Sequence, residues 1–202
     1  MTLLPIPIPR FGTRTRSLLL LVACAVPLSG CVGIVLGGAA GGASVATDER
    51  TLGTVVEDES IELKAANIIR DDSELKQQTH INVTSFNQIV LLSGEAPTED
   101  MRDRVFNKVK AIAKVRNVHH EIVIAAPSPI GARTTDSWIT TTVKGKFVAS
   151  KELAADKIKV VTESGVVYLM GLVKQDQGRI AAELASQTAN VQRVVKLFEY
   201  LD

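Results

Sequence analysis

Charge of one sign is missing from this 202-residue chain: 23 Lys and Arg stand against 22 Asp and Glu, a formal net charge of +1. That balance excludes the broad basic footprint of a nucleic-acid binder. Aromatic residues are scarce, at 4 % with a single Trp. There are 2 cysteines, Cys24 and Cys31, both in the first third. Patterns that carry chemistry are missing too: there is no G-x-S-x-G, no P-loop and no H-E-x-x-H. His119 and His120 are adjacent, and on a strand neighbours point to opposite faces, so they cannot chelate one ion together. His80 precedes a strand with no cysteine or second ligand near it in sequence. The run Asp71-Asp72-Ser73-Glu74 reads as a solvated helix end or turn rather than a cation site. The expectation is a non-enzyme with no cofactor and no metal.

The apolar run from Leu18 to Leu28 is too short to span a bilayer, and it follows Arg10, Arg14 and Arg16 as the core of a leader follows its basic region. It ends in L-S-G-C, Leu28 to Cys31. Small residues before a cysteine at this place resemble a bacterial lipoprotein signal. The resemblance implies cleavage before Cys31 and acylation of its thiol and new amino group. Val32, a residue other than Asp after the cysteine, implies export to the outer membrane. Several acyl chains, at about 0.8 kcal/mol per buried CH₂, make a stable anchor. Cys24 leaves with the leader, so the mature chain forms no internal disulfide. The Gly- and Ala-rich stretch 32–47 carries Gly33, Gly37 and Gly41 at helix-packing spacing. A flexible spacer is the simpler reading.

From there the chain repeats itself. I-N-V-T-S-F-N-Q-I-V-L-L-S-G-E from Ile81 aligns with I-K-V-V-T-E-S-G-V-V-Y-L-M-G-L from Ile158. Ile81 matches Ile158, Val83 matches Val160, Leu92 matches Leu169 and Gly94 matches Gly171. Upstream, Ile61, Ala65, Ile69 and Leu75 match Ile139, Val143, Phe147 and Leu153. Each copy reads helix, strand, strand, helix, strand. The short turns at Phe86-Asn87-Gln88 and Glu163-Ser164-Gly165 make the first two strands antiparallel, with Gly94 or Gly171 closing each hairpin. The second helices carry Met101, Val105, Val109 and Ile112, and Ile180, Leu184 and Gln187-Thr188. The stretch between the copies, Ala125 to Thr135, holds two prolines and a glycine that argue against regular structure. The fold class is α+β: each copy is a three-stranded mixed sheet packed on two helices, with one modest core.

The segment Asp136 to Leu153 holds the lone Trp and two apolar stripes at helical spacing. Ile139, Val143 and Phe147 form a core-facing stripe. Trp138, Thr141, Gly145 and Val148 form a second, flanked by Lys144, Lys146 and Lys151. A ring beside lysines suits a membrane interface, the ring at the headgroup boundary and the cations toward anionic lipid. The rival is packing, within the domain or between domains. In copy one the matching positions are Ser60, Leu63, Asn67 and Arg70, with no aromatic, and Asp71 and Asp72 follow. A ring needed by the shared fold would have an apolar counterpart at Ser60, so the comparison favours a surface role.

With the hairpins I-N-V-T-S-F-N-Q-I-V-L-L-S-G and I-K-V-V-T-E-S-G-V-V-Y-L-M-G at their centres, the copies resemble the BON domain. The lipobox, the tandem copies and D-S-W-I-T-T-T-V-K together resemble the dual-BON outer-membrane lipoproteins of Gram-negative bacteria. The resemblance implies two αββαβ domains. It divides the chain into a signal peptide 1–30, a lipidated Cys31 and spacer 31–50, BON domain 1 at 51–124, a linker 125–135 and BON domain 2 at 136–202. It implies a lipid-anchored protein on the periplasmic face of the outer membrane that supports envelope integrity, concentrated at the division site. It also implies docking on anionic phospholipid through the first helix of domain 2. The lipid-binding positions are then Trp138, Thr141, Lys144, Gly145, Val148 and Lys151, with Val148 standing where that family can carry a longer leucine. The alternative is a protein-interaction adaptor for outer-membrane assembly or division machinery.

Overall fold

Apolar residues in each repeat recur at two periods, and each segment folds as its period demands. The computed structural model describes residues 50–201. The leader, Cys31 and the glycine-rich stretch lie outside the described residues. Copy one runs α1 (Leu52–Asp71), α2 (Ser73–Gln78), β1 (His80–Phe86), β2 (Ile89–Ala96), α3 (Glu99–Lys110) and β3 (Asn117–Ile124). Copy two runs α4 (Ile130–Ala149), a 3-10 turn (Ala155–Lys157), β4 (Ile158–Glu163), β5 (Val166–Val173), α5 (Gln175–Ser186) and β6 (Arg193–Tyr200). The architecture is α+β, two αββαβ repeats as the pattern predicts, with the short α2 added in copy one. Side chains start the helices of copy one: Thr51, Asp72 and Thr98 accept from the backbone N–H of Thr54, Leu75 and Met101.

In each copy the second strand is central, antiparallel to the first and parallel to the third. Both hairpins turn on two residues at positive φ, Asn87 and Gln88 at 52° and 64°, Ser164 and Gly165 at 49° and 74°. This is the turn whose twist matches the strands it joins. Gly94, at φ 113°, lies inside β2 opposite Ile81 rather than at the hairpin's closing turn. A Cβ there would run into the carbonyl of His80, so the strand needs glycine.

Alternation along the strands sends Val90 and Leu92 toward α1 and α3, where Ile61, Ala65, Leu75, Val105 and Val109 complete a core. Val167, Leu169 and Val173 meet Ile139, Val143, Phe147, Ala181 and Ala185 in a second. The helix-free faces of the two sheets then pack on each other. Phe86 and Leu91 from copy one and Tyr168 and Met170 from copy two are all buried in a third cluster. Burial of Phe86, Leu91 and Met170 stabilises this junction by about 1.5–3 kcal/mol per side chain. One core per copy is therefore an incomplete expectation: the order is helices, sheet, sheet, helices.

Three local readings need correction. The proline-bearing stretch is not irregular throughout, since α4 reaches back to Ile130 with Pro129 as its N-cap. Proline fixes a backbone angle that suits a helix start, so it ends the linker here rather than extending it. Helix α4 also stops at Ala149, which leaves Lys151 and Leu153 beyond its end. In α5 the buried positions are Gly178, Ala181 and Ala185, while Ile180 and Leu184 sit half-buried beside them. The aromatic rings of Phe198 and Tyr200 lie 3.0–3.1 Å from where a Cβ on Gly178 would stand, so only small residues fit that line.

Candidate functional site

Helix α4 presents two different faces. Ile139, Val143 and Phe147 are 0 %, 0 % and 1 % exposed, whereas Trp138 and Val148 are 49 % and 77 % exposed. Thr141, Lys144, Gly145 and Lys151 are exposed as well. Beyond its chain neighbours and the backbone of its own helix, nothing comes within 4 Å of where a Cβ on Gly145 would stand, so its surroundings are open. Hydroxyls on the outer side of this helix turn back on its own backbone, while Thr140 reaches the Thr162 hydroxyl at 2.7 Å. Thr141 donates to the carbonyl of Ser137 at 2.9 Å and Thr142 to that of Trp138 at 2.9 Å. Threonines bonded in this way do not need water, which makes the face less polar than its composition suggests. Lys146 is not part of it: its Nζ donates to the carbonyls of Gln187 at 2.8 Å and Leu184 at 3.4 Å, closing the end of α5. Trp138 borders a shallow groove of about 330 Å³ with Thr134, Thr135 and Asn190, all from copy two. It is not in the cluster that joins the sheets.

Helix α1 of copy one differs on the matching face. Leu63 is exposed and Ser60 half-buried. Leu52, Val56 and Leu63 are 65 %, 67 % and 63 % exposed on one side of the helix. Of the expected core positions of α1, Ile61 and Ala65 are fully buried, while Ile69 is only partly covered.

One pair of residues escaped the sequence reading in spite of a signal in it. Asp58 and Asp136 stand three positions before the matched Ile61 and Ile139. Both are buried, and both hold the hairpin turn of their own copy. Asp136 accepts from the backbone N–H of Ser164 and Gly165 at 2.9 Å each. Asp58 accepts from the N–H of Asn87 and Gln88 at 2.8 and 2.7 Å, from the Ser85 hydroxyl at 2.7 Å and from Arg50 at 2.9 Å. Buried acceptors placed on turn amides fix the hairpin against its helix.

The copies also meet through polar groups. Lys159 Nζ binds Glu62 at 2.8 Å, Asn87 Nδ2 donates to Glu199 at 2.6 Å, and Arg116 pairs with Glu199 at 2.9 Å. Tyr168 and Arg193 both approach Glu121, at 3.5 and 3.6 Å. Burial, with Glu121 nearby, pushes the Tyr168 phenol up to about 12. At one end of the junction His80 and Glu95 pair across β1 and β2, and Glu163 of copy two reaches them. Each offers a ligand atom within 4.8 Å of the others. Sequence separation hid this grouping, so the view of His80 as lacking a second ligand does not survive folding. Burial holds the His80 imidazole below its usual range, with Arg133 adding to the effect. Burial raises the Glu163 carboxyl despite the hydrogen bond from Asn82.

Among the described residues no helix is long and apolar enough to cross a membrane. The sequence profile of the BON domain matches residues 57–126 and 135–202. Over 187 residues, 93 % of this chain and 97 % of the relative, the chain is 37 % identical to the outer membrane lipoprotein DolP of Haemophilus influenzae. It is 36 % identical to a 21 kDa hemolysin of Actinobacillus pleuropneumoniae, over 76 % of this chain and 79 % of the relative. It is 25 % identical to the osmotically-inducible protein Y of Escherichia coli, over 76 % and 77 %. Matched by profile in both copies and by identity along nearly its whole length, the chain belongs to the BON-domain outer-membrane lipoproteins of the DolP family.

Proposed function

We propose that this outer-membrane lipoprotein binds phospholipid. Held by acylated Cys31 through the spacer 31–50, it docks on anionic membrane through α4, at the periplasmic face, and supports envelope integrity at the division site. The reading contains no catalytic step. The observation that carries it is the two-faced α4, with a half-exposed Trp138 and an exposed Val148, Lys144 on the helix and Lys151 just past its end, while the opposite stripe is buried. Each lysine near an anionic surface contributes about 1 kcal/mol, screened within a Debye length. The ring adds apolar contact at headgroup depth. Neither is sufficient alone, so the tether's high local concentration completes the binding.

The test is co-sedimentation of residues 50–202 with vesicles. Without the tether, weak binding is expected to anionic vesicles, to fade with salt and to be near absent on neutral ones, with Trp138 fluorescence moving to the blue. Trp138→Glu should abolish it with the circular dichroism unchanged. Unaltered binding by the folded variant would place the lipid site elsewhere.

A second reading, an adaptor for outer-membrane assembly or division machinery, draws on Leu52, Val56 and Leu63, which form an uncovered apolar line on α1. Substituting Leu52 and Val56 by Ser would weaken such a partner contact and leave vesicle binding unchanged.

A further inference from the structure

We propose that His80, Glu95 and Glu163 form a zinc-type divalent-metal site that ties the two BON copies together. One imidazole and two carboxylates are a donor set that Zn²⁺ takes, with water completing a tetrahedron. Zinc bonds of about 2.0–2.1 Å in that geometry set ligand atoms about 3.3 Å apart. His80 Nε2 and Glu163 Oε1 stand 3.6 Å apart, too far for a hydrogen bond and close to the spacing across such an ion. All three ligand atoms fall within 4.8 Å, so an ion closes the set by sub-ångström to ångström movements of side-chain ends.

The surroundings point the same way. Glu95 and Glu163 are 5 % and 6 % exposed, and Asp136 beside them is 7 % exposed. Arg133 lines the cavity with Asp136 and Glu163, and Glu95 adjoins His80 and Glu163, so three buried carboxylates gather about one guanidinium. A divalent ion supplies the missing positive charge. Supporting contacts of the kind a metal site requires hold the carboxylates in place: Glu163 is held through Oε2, which leaves Oε1 facing His80, and Glu95 is held through both oxygens, each of which keeps a second lone pair. Glu163 Oε2 accepts from Asn82 Nδ2 at 2.6 Å, and Glu95 accepts from the Ser164 hydroxyl at 3.0 Å and from the N–H of Ser128 at 3.3 Å. Ser93 projects from the same sheet face as Glu95, directly opposite Asn82. Its hydroxyl is buried with no hydrogen-bond partner, and a metal-bound water is a natural partner for it. A cavity of about 390 Å³ lined by His80, Asn82, Asp136, Thr140 and Glu163 gives an ion its way in. None of the three ligands lies on α4, although Arg133, Asp136 and the lipid-docking position Thr141 of that helix border the cavity.

The experiment uses the full lipidated chain in detergent micelles, stripped with EDTA and titrated with ZnCl₂ by calorimetry. In parallel, long-range ¹⁵N spectra resolve the 3 histidine rings of the chain. The expected result is one zinc bound per chain, a shift confined to the His80 ring and a higher melting temperature. His80→Gln and Glu95→Gln should each remove the binding heat with the circular dichroism retained. His80 is half-buried, so its variant is informative even if a glutamate variant fails to fold. Absence of binding heat overturns the proposal. So does binding that survives His80→Gln, or a shift that appears on His119 or His120.

Discussion

Helices α1 and α4 are the same element written twice, and they differ where it matters. Both bury a stripe against their sheet, and both use a buried aspartate to hold their own hairpin turn. On the outer side, α4 has Trp138, Val148 and Lys144, while α1 has Ser60, Leu63 and Arg70 with Asp71 following. The shared face is what folding requires, and the divergent face is free to acquire a function. A repeat thus separates the two kinds of residue without any alignment of relatives.

The sharpest break in that comparison lies within α4. Phe147→Ala should cost about 3–5 kcal/mol in a urea melt, as large-to-small core changes do. Trp138→Ala, on the half-exposed face, should cost clearly less, because about half of the residue already meets water. Equal losses would mean that the ring packs rather than faces outward.

Next come the turn-holding aspartates. Asp136→Ala strands two turn amides, and Asp58→Ala strands two amides, a hydroxyl and an arginine. Each buried unsatisfied donor costs about 1–3 kcal/mol. The copy-one variant should therefore melt at lower denaturant than the copy-two variant. The turns themselves differ in the same position. Gln88 sits at φ 64° where copy two has Gly165, and a side chain there is disfavoured. Gln88→Gly should stabilise the protein by up to about 1 kcal/mol, read as a higher urea midpoint.

The junction after the first helix carries the capping Asp72 in copy one, where copy two has Ser150. The backbone N–H of Leu75, helped by Lys108, holds the Asp72 carboxyl below the usual aspartate range. The folded state therefore binds that proton less tightly than the unfolded chain. The resulting stability is fully present above the ordinary aspartate pKa and is lost as pH falls through the lowered one. Asp72→Asn keeps a capping side chain and removes the charge. Its melting temperature should lie below the parent's near neutral pH and converge with it in acid.

Much of this architecture was legible because periodicity records which face is buried. Val83, Leu92, Val105 and Ile139 repeat with the spacing of their elements, and the register of α4 follows from Ile139, Val143 and Phe147 alone. What escaped is what spacing does not encode. Leu91, Tyr168 and Met170 read as ordinary alternating strand residues, and only the packed pair shows that they face another sheet. Glu163 is 83 positions from His80 in number, and only the junction brings them together. The small stripe Gly178, Ala181 and Ala185 carries too little hydrophobicity to outweigh Ile180 and Leu184 in a pattern, although close approach to the sheet selects it.

The smallest effect on stability belongs to the most direct test of the divergent faces. Leu63 of α1 matches Thr141 of α4 and is 63 % exposed. Leu63→Trp places an aromatic ring on the copy-one stripe, and a surface change of this kind should move stability by no more than about 0.5 kcal/mol. In the Trp138→Glu background it supplies apolar contact to a helix on which Glu59, Glu62, Asp71 and Asp72 outnumber Lys64 and Arg70. Those carboxylates repel an anionic surface, and α1 has no counterpart of Lys144 at Ala66. A ring alone is then insufficient, and the double variant should remain unbound to anionic vesicles in co-sedimentation. Restored binding would show that any exposed ring on the tethered pair suffices, and the lysines beside Trp138 would lose their role.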